Sequence, residues 1–267
     1  MIIFPSAKVN IGLNILNRRA DGYHNLQTIF YPAAVRDVLE VIESDELKFT
    51  TTGLIIPGNR DDNLCLKAYH LLSQDFDLPP VHIHLHKNIP LGGGLGGGSS
   101  DAAFLIRLLN EKFNLNISIA GTEGYASQLG SDCAFFIQNK PAFASQKGND
   151  LLKIELDLNK YFLVIVMPDI HISTAEAFAG VVPNNFAPTL SELIHIPVED
   201  WKNYIFNDFE TTVFKKFPAI DKLKDYLYQQ GALYSSMSGS GASVYGIFEK
   251  EIRLTELEQN NRVYYGV

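Results

Sequence analysis

The chain has 267 residues, enough for one large domain or two modest ones around a real core. Its 46% hydrophobic and 19% charged residues are an ordinary globular mix. A formal charge of −8 argues against broad nucleic-acid or membrane-surface binding, but leaves room for a small basic pocket for an anionic ligand. Two cysteines, Cys65 and Cys133, make neither a disulfide framework nor a CxxC metal pair. MIIFPSAKVNIG lacks the basic start and apolar run of a signal sequence. No stretch approaches the roughly 20 apolar residues that cross a bilayer. The expectation is a reduced, cytoplasmic protein.

In chain order, VRDVLEVIES (35–44) and DELKFTTTG (45–53) mix apolar and polar residues as strands do, and NLCLKAYHLLSQDF (63–76) reads as an amphipathic helix. VHIHLHKNIP (81–90) alternates Val81, Ile83 and Leu85 with His82, His84 and His86, which predicts a strand with a histidine face, ended by Pro90. Three imidazoles on one face could bind a metal, yet no acidic or cysteine partner stands nearby, so a solvated or domain-facing surface is expected. PLGGGLGGGSSDAA (90–103) follows at once, with six glycines within residues 92–98. SSDAAFLIRLLNEKF (99–113) then has helical spacing, with the serines and Asp101 where an N-cap and first turn belong. GTEGYASQLGSDCAFFI (121–137) predicts a helix, a stop at Gly130 and a second short element. KYFLVIVMP (160–168) is a buried-type strand, and residues 180–202 are proline-punctuated and poorly periodic. FPAIDKLKDYLYQQG (217–231) is a helix closed by glycine, and SSMSGSGASVYGIFE (235–249) a second glycine-rich loop running into a strand. Strands and helices alternate throughout, so the class is α/β or α+β. A change of composition around KGNDLLKIELDLN suggests two domains, 1–156 and 157–267.

The glycine run decides the chemistry. Gly92-x-Gly94-x-x-Gly97 fits the dinucleotide pattern, but the residues about 20 positions on, LNIS, offer no acidic group for a ribose. A P-loop needs a lysine where Gly98 stands. What remains is the physics shared by both. Consecutive glycines let backbone N–H groups converge on an anion, and a helix N-terminus behind them adds its positive dipole end. The bland alternative is a bend for close backbone packing. Six glycines before a helix favour a phosphate cradle.

PLGGGLGGGSSDAA resembles the phosphate loop of the galactokinase, homoserine kinase, mevalonate kinase and phosphomevalonate kinase (GHMP) superfamily. PSAKVNIGLNI (5–15) is similar to its N-terminal motif and SMSGSGASVYGIF (236–248) to its C-terminal glycine motif. Within the superfamily, RRADGYHNLQTIFYP (18–32) resembles the substrate segment of the 4-diphosphocytidyl-2-C-methyl-D-erythritol kinase family. The resemblance implies an α+β, two-domain fold, a ribosomal protein S5 domain 2-like N-terminal domain and a ferredoxin-like C-terminal one. It implies ATP-dependent phosphorylation, with Mg2+, of the 2-hydroxyl of a CDP-linked methylerythritol in the non-mevalonate isoprenoid pathway. A monomer or weak homodimer, without nucleic acid or membrane, fits that role. The alternatives are another GHMP small-molecule kinase, which would have no use for DGYH, and a nucleotide-binding sensor, which would have no use for a base and its cation.

By the same resemblance, Asp132 in GSDCAFF is the general base and Lys8 in SAKVN the cation beside it. Read alone, Asp132 is as well explained as a helix N-cap and Lys8 as a surface lysine. Asn10 shares a strand face with Lys8 and would contact substrate. Tyr23 would stack on cytosine, His24 would read its edge, and Phe178 would lie on the opposite side; core packing explains Phe178 equally well. Thr174 would also touch substrate. Asn63 and Lys87 would lie near adenine. Pro90, Gly92, Gly93, Gly94, Leu95, Gly96, Gly97, Gly98, Ser99 and Ser100 would bind phosphate, the serines also a magnesium-held water. Asp101 is expected to cap the helix. Ser238–Gly241 is either a loop closing over ligand or a tight turn. EIRLTELEQ (251–259) is expected to be a reduced final helix.

Overall fold

The computed structural model of the chain describes residues 1–184 and 188–266; residues 185–187 of the proline-punctuated stretch, and Val267, lie outside the described residues. The strands are β1 (Ile2–Ile3), β2 (Ser6–Arg18), β3 (His24–Arg36), β4 (Val38–Glu43), β5 (Lys48–Gly53), β6 (Val81–Lys87), β7 (Ala142–Ser145), β8 (Asp150–Lys153), β9 (Phe162–Pro168), β10 (Tyr234–Met237), β11 (Val244–Phe248) and β12 (Asn261–Tyr265). The helices are α1 (Leu64–Leu72), α2 (Gly97–Lys112), α3 (Ile119–Leu129), α4 (Cys133–Gln138), α5 (Thr174–Phe178), α6 (Leu190–Leu193), α7 (Trp201–Tyr204), α8 (Phe209–Lys216), α9 (Pro218–Gln229) and α10 (Thr255–Glu258). By internal contacts the chain divides into two units. One comprises Met1–Ala7, Val35–Leu91 and Gly96–Lys140; the other comprises Lys8–Ala34, Gly92–Leu95 and Pro141–Val267.

The first unit holds a sheet of order β1-β4-β6-β5, with β6 antiparallel to β4 and parallel to β5. The period-two pattern of β6 does what it predicts. Val81, Ile83 and Leu85 are fully buried, each contributing about 1.5–3 kcal/mol. On the opposite face His82, His84 and His86 hydrogen-bond to Thr50 and Thr52 of β5 at 2.7–3.1 Å. The histidines therefore form a hydroxyl-bridged ladder, and among the described residues no group of three His, Cys, Asp or Glu is placed to hold a metal. Helices α1 to α4 pack together, with α2 buried along most of its first three turns. Both cysteines are free and buried.

The second unit holds two sheets, β2-β3-β7-β8 and β10-β11-β9-β12. β9 lies inside its sheet between β11 and β12, so Leu163 to Val166 are buried as one continuous apolar run. Its core gathers Leu13, Ile15, Val164, Val166, Phe209, Val213, Ile220, Leu227, Met237 and Val244. α9 starts with Pro218 and is followed by Gly231 at φ +94°. α5 is closed by a capping box in which Ser173 and Glu176 satisfy each other's backbone. The Lys216 ammonium and the Ser173 N–H and hydroxyl hold Glu176 down at about 2. The reduced final helix is α10, only four residues long. It leads into β12, an edge strand that the tail NRVYYGV did not announce.

Candidate active site

In the first unit a cavity of about 480 Å³ opens against the start of α2. Phe49, Ile56, Leu64 and Leu91 give it apolar walls; Asn59, Arg60 and Asn63 give it a polar edge. That mixture suits a flat heterocycle with a hydrophilic tail. Asn63 also caps α1, its Oδ1 accepting from the Cys65 N–H at 2.9 Å.

The glycine loop runs to α2 differently from the expected helix start. The helix begins at Gly97, two residues before the serines, and its N-cap is Gly96 in the left-handed region with no side-chain cap bond. Among the described residues its N-cap supplies no side-chain acceptor for the leading N–H groups, the arrangement that receives an anion. Gly92, Gly94 and Gly96 all hold positive φ, at 69°, 73° and 71°, alternating along the loop as in a backbone anion nest. Gly94 tolerates no side chain: a Cβ would stand 1.9 Å from the Ser238 carbonyl oxygen. Ser100 Oγ is buried and has no hydrogen-bond partner among the described residues.

Asp101 is not a cap. It lies within α2, 3% exposed, and accepts from the Lys87 ammonium at 2.7 Å. Lys87 also donates to Asp37 at 2.5 Å, and Asp37 accepts from the N–H groups of Asn88 and Ile89 at 2.5 and 2.8 Å. The Lys87 side chain is fully buried, so its ammonium serves two carboxylates although the residue lines the cavity. Burial drags Lys87 down, but the two aspartates outweigh it and its pKa is raised. Burial pushes the Asp101 carboxyl well above its ordinary range, against the pull of Lys87 and with the push of Asp37. Sequence reasoning missed Asp37; the only signal was a charged residue interrupting the apolar run AAVRDVLEV. A Cβ at Gly97 would stand 2.9 Å from both Lys87 Nζ and Ile89 Cγ2, so a larger residue there would displace the Lys87 ammonium or Ile89.

In the second unit, Lys8 is 3% exposed rather than on the surface. Its Nζ donates to Asn10 Oδ1 at 2.5 Å and to the Gly94 carbonyl at 2.9 Å, and lies 5.1 Å from the Phe30 ring centre. Its backbone N–H donates to the Leu95 carbonyl. Ser238 Oγ donates to the same Gly94 carbonyl at 2.9 Å and Ser243 N–H to the Gly93 carbonyl at 3.3 Å. The carbonyls of residues 93–95 are thereby all committed. The second glycine motif is thus a support for the first.

Tyr23 stands at the tip of the turn between β2 and β3, 62% exposed. Lys147 Nζ lies 4.3 Å from its ring centre and 2.9 Å from Asp21. The His24 ring stacks directly on Phe178, with centroids 4.8 Å apart and planes at 17°. Phe178 meets Phe209 edge-on at 4.7 Å. Phe178 is partly buried and packs against the core of this unit, and the ring stacked on it is His24, not Tyr23. Thr174 is the exposed first residue of α5. Asp132, in the first unit, occupies the N-cap position of α4 yet makes no side-chain cap bond. Ser131 Oγ donates to its Oδ1 at 3.2 Å.

Comparison with known proteins bears on this arrangement. The family model "GHMP kinases N terminal domain" matches residues 63–140, and "GHMP kinases C terminal" matches residues 189–265. A Bacteroides fragilis protein named 4-diphosphocytidyl-2-C-methyl-D-erythritol kinase is 51% identical over 97% of this chain and 96% of its own length. One of the same name from Bacteroides thetaiotaomicron is 52% identical over 99% and 98%. The chain belongs to the 4-diphosphocytidyl-2-C-methyl-D-erythritol kinase family. A crystal structure of a 4-(cytidine 5'-diphospho)-2C-methyl-D-erythritol kinase covers all of this chain and 98% of its own, at TM-score 0.85 and 29% identity. This family member is an ATP-dependent small-molecule kinase with the α+β GHMP fold. The N-terminal match takes in Asn63, the glycine loop and Asp132; the C-terminal match takes in Ser238–Gly241.

Proposed function

We propose that this kinase transfers the γ-phosphoryl group of ATP to the 2-hydroxyl of 4-diphosphocytidyl-2-C-methyl-D-erythritol, in the non-mevalonate route to isoprenoid precursors. The observation that carries it is the match, at about half identity over nearly the whole length, to relatives bearing that substrate in their name. The DGYH turn supports it, since other GHMP kinases have no cytosine to hold.

In this reading Asp132 takes the proton from the alcohol as the oxygen attacks phosphorus, and Lys8 stabilises the developing alkoxide. The burial of Lys8 beside the Gly94 carbonyl and Asn10 supports its role. The cavity takes the adenosine of ATP, with Asn63 at its polar edge and Lys87 in its wall. The loop from Pro90 through Leu95 and Gly98 to Ser99 and Ser100 takes the phosphates. Asn10, Tyr23, His24, Thr174 and Phe178 serve the CDP-linked substrate. Mg2+ held mainly by phosphate oxygens and water needs one or two protein oxygens at most. The unpartnered Ser100 hydroxyl fits that requirement, and the ion would neutralise charge on the transferring phosphoryl group. A domain boundary at 156/157 falls in the gap between the two matched segments, although the compact unit holding the C-terminal match also takes in Lys8–Ala34 and starts again at Pro141. The proposed setting is a cytoplasmic monomer or weak homodimer. No helix among the described residues is long and apolar enough to cross a membrane.

ADP release with ATP and Mg2+ tests the substrate, comparing the CDP-linked methylerythritol, free methylerythritol, mevalonate and homoserine. Turnover is expected with the CDP-linked compound alone. Turnover with mevalonate or homoserine contradicts the DGYH reading, and tight ATP binding without any turnover marks a sensor.

A further inference from the structure

We propose that Thr28 is a positioning residue for phosphoryl transfer: its hydroxyl sets the Asn10 amide so that the amide oxygen, not the NH2, faces the Lys8 ammonium. The proposal rests on the reading of Lys8 as the cation of the transfer step.

Thr28 lies on β3 and is 1% exposed. Its Oγ1 is 2.6 Å from the Gly12 carbonyl on β2 and 2.9 Å from Asn10 Nδ2. A hydroxyl has one proton to give, and a carbonyl oxygen can only accept. The proton therefore goes to Gly12, and Thr28 shows Asn10 only lone pairs. A donor must stand there, which is the NH2. The other end of the amide, Oδ1, is then left for Lys8 Nζ at 2.5 Å. The reverse rotamer would press NH2 against NH3⁺ and leave lone pairs facing lone pairs at Thr28, in a site where Asn10 is 2% exposed. Buried polar groups without partners are costly. The Asn10 backbone cannot rotate to compensate: its N–H donates to Ser238 Oγ at 3.3 Å, and its carbonyl accepts from Tyr245 OH at 2.8 Å. Only the side-chain torsion is free, and Thr28 is what fixes it. Without that constraint the ammonium loses the Asn10 acceptor and keeps the Gly94 carbonyl.

Thr28→Val keeps the shape and removes the hydroxyl; Thr28→Ser keeps the hydroxyl. Expected is a fall in kcat of about 10- to 100-fold for Thr28→Val, the scale of a slightly misplaced reacting group. The KM for ATP should stay within about twofold, and Thr28→Ser should recover most of the rate. Lys8→Met, measured beside them, separates the two readings. Lost activity in Lys8→Met with unchanged kcat in Thr28→Val overturns the positioning role alone. Full activity in Lys8→Met overturns the reading of Lys8 and the proposal with it. Equal losses in the Ser and Val variants attribute the effect to packing and also overturn it. Should Thr28→Val not fold, Thr28→Ala removes the same hydroxyl without a methyl against the Gly12 carbonyl and makes the same comparison.

Discussion

Asp132→Asn is expected to lower kcat by about 100- to 10,000-fold, the usual worth of a positioned general base. Asn is as good an N-cap as Asp, and Asp132 makes no cap bond for α4 to lose. The cavity and the glycine loop do not include it. Folding and ATP binding should therefore survive while the alcohol proton has no acceptor. Steady-state turnover and calorimetric titration with a non-hydrolysable ATP analogue measure both. A kcat within about twofold of the parent would remove Asp132 from the chemistry.

Lys87→Met should cost about 3–5 kcal/mol of stability, read from the urea midpoint, because it strands two buried carboxylates. Asp37 and Asp101 are each held against the same ammonium within 2.7 Å. Asp37 also fixes the backbone of Asn88 and Ile89 where β6 leaves for the loop. The KM for ATP should rise as well, since Gly97 begins α2 directly over Lys87. Asp101→Asn should behave oppositely. Burial holds the folded Asp101 pKa above its ordinary value, so the carboxyl costs stability as pH rises past the unfolded value of 3.8. Asparagine keeps an acceptor for Lys87 without that cost, and the variant should be as stable as the parent, or more so, at pH 8. A large loss in Asp101→Asn together with a mild one in Lys87→Met would contradict the triad.

Local pattern was a good guide wherever one face of an element met water and the other met the core. The alternation of β6, the apolar run of β9 and the Pro-to-Gly framing of α9 each follow from residues a few positions apart. The glycine loop was legible for the same reason, because its demand on the backbone is local. Partners distant in the chain were not. Asp101 looks like a first-turn acid because Lys87 and Asp37, 14 and 64 residues away by number, leave no mark beside it. Thr28 resembles any strand threonine until Gly12 and Asn10 are placed around its hydroxyl. His24 was expected at a base edge, and its stack on Phe178 depends on a tertiary approach across more than half the chain. β12 went unannounced because an edge strand needs only one neighbour, and that neighbour, β9, is far away in sequence.

The claim that the phosphoryl group goes to the 2-hydroxyl is open to one direct measurement, the proton-coupled ³¹P spectrum of the product made from the CDP-linked methylerythritol. In a 2-C-methyl sugar alcohol, carbon 2 bears a methyl and a hydroxyl and no hydrogen. Phosphate on that oxygen has no three-bond coupling to a proton. The account predicts a new monoester signal that is a singlet, beside an unchanged diphosphate. A monoester signal split by protons would place the phosphate on another hydroxyl, and no monoester signal at all would contradict the kinase reading of this substrate.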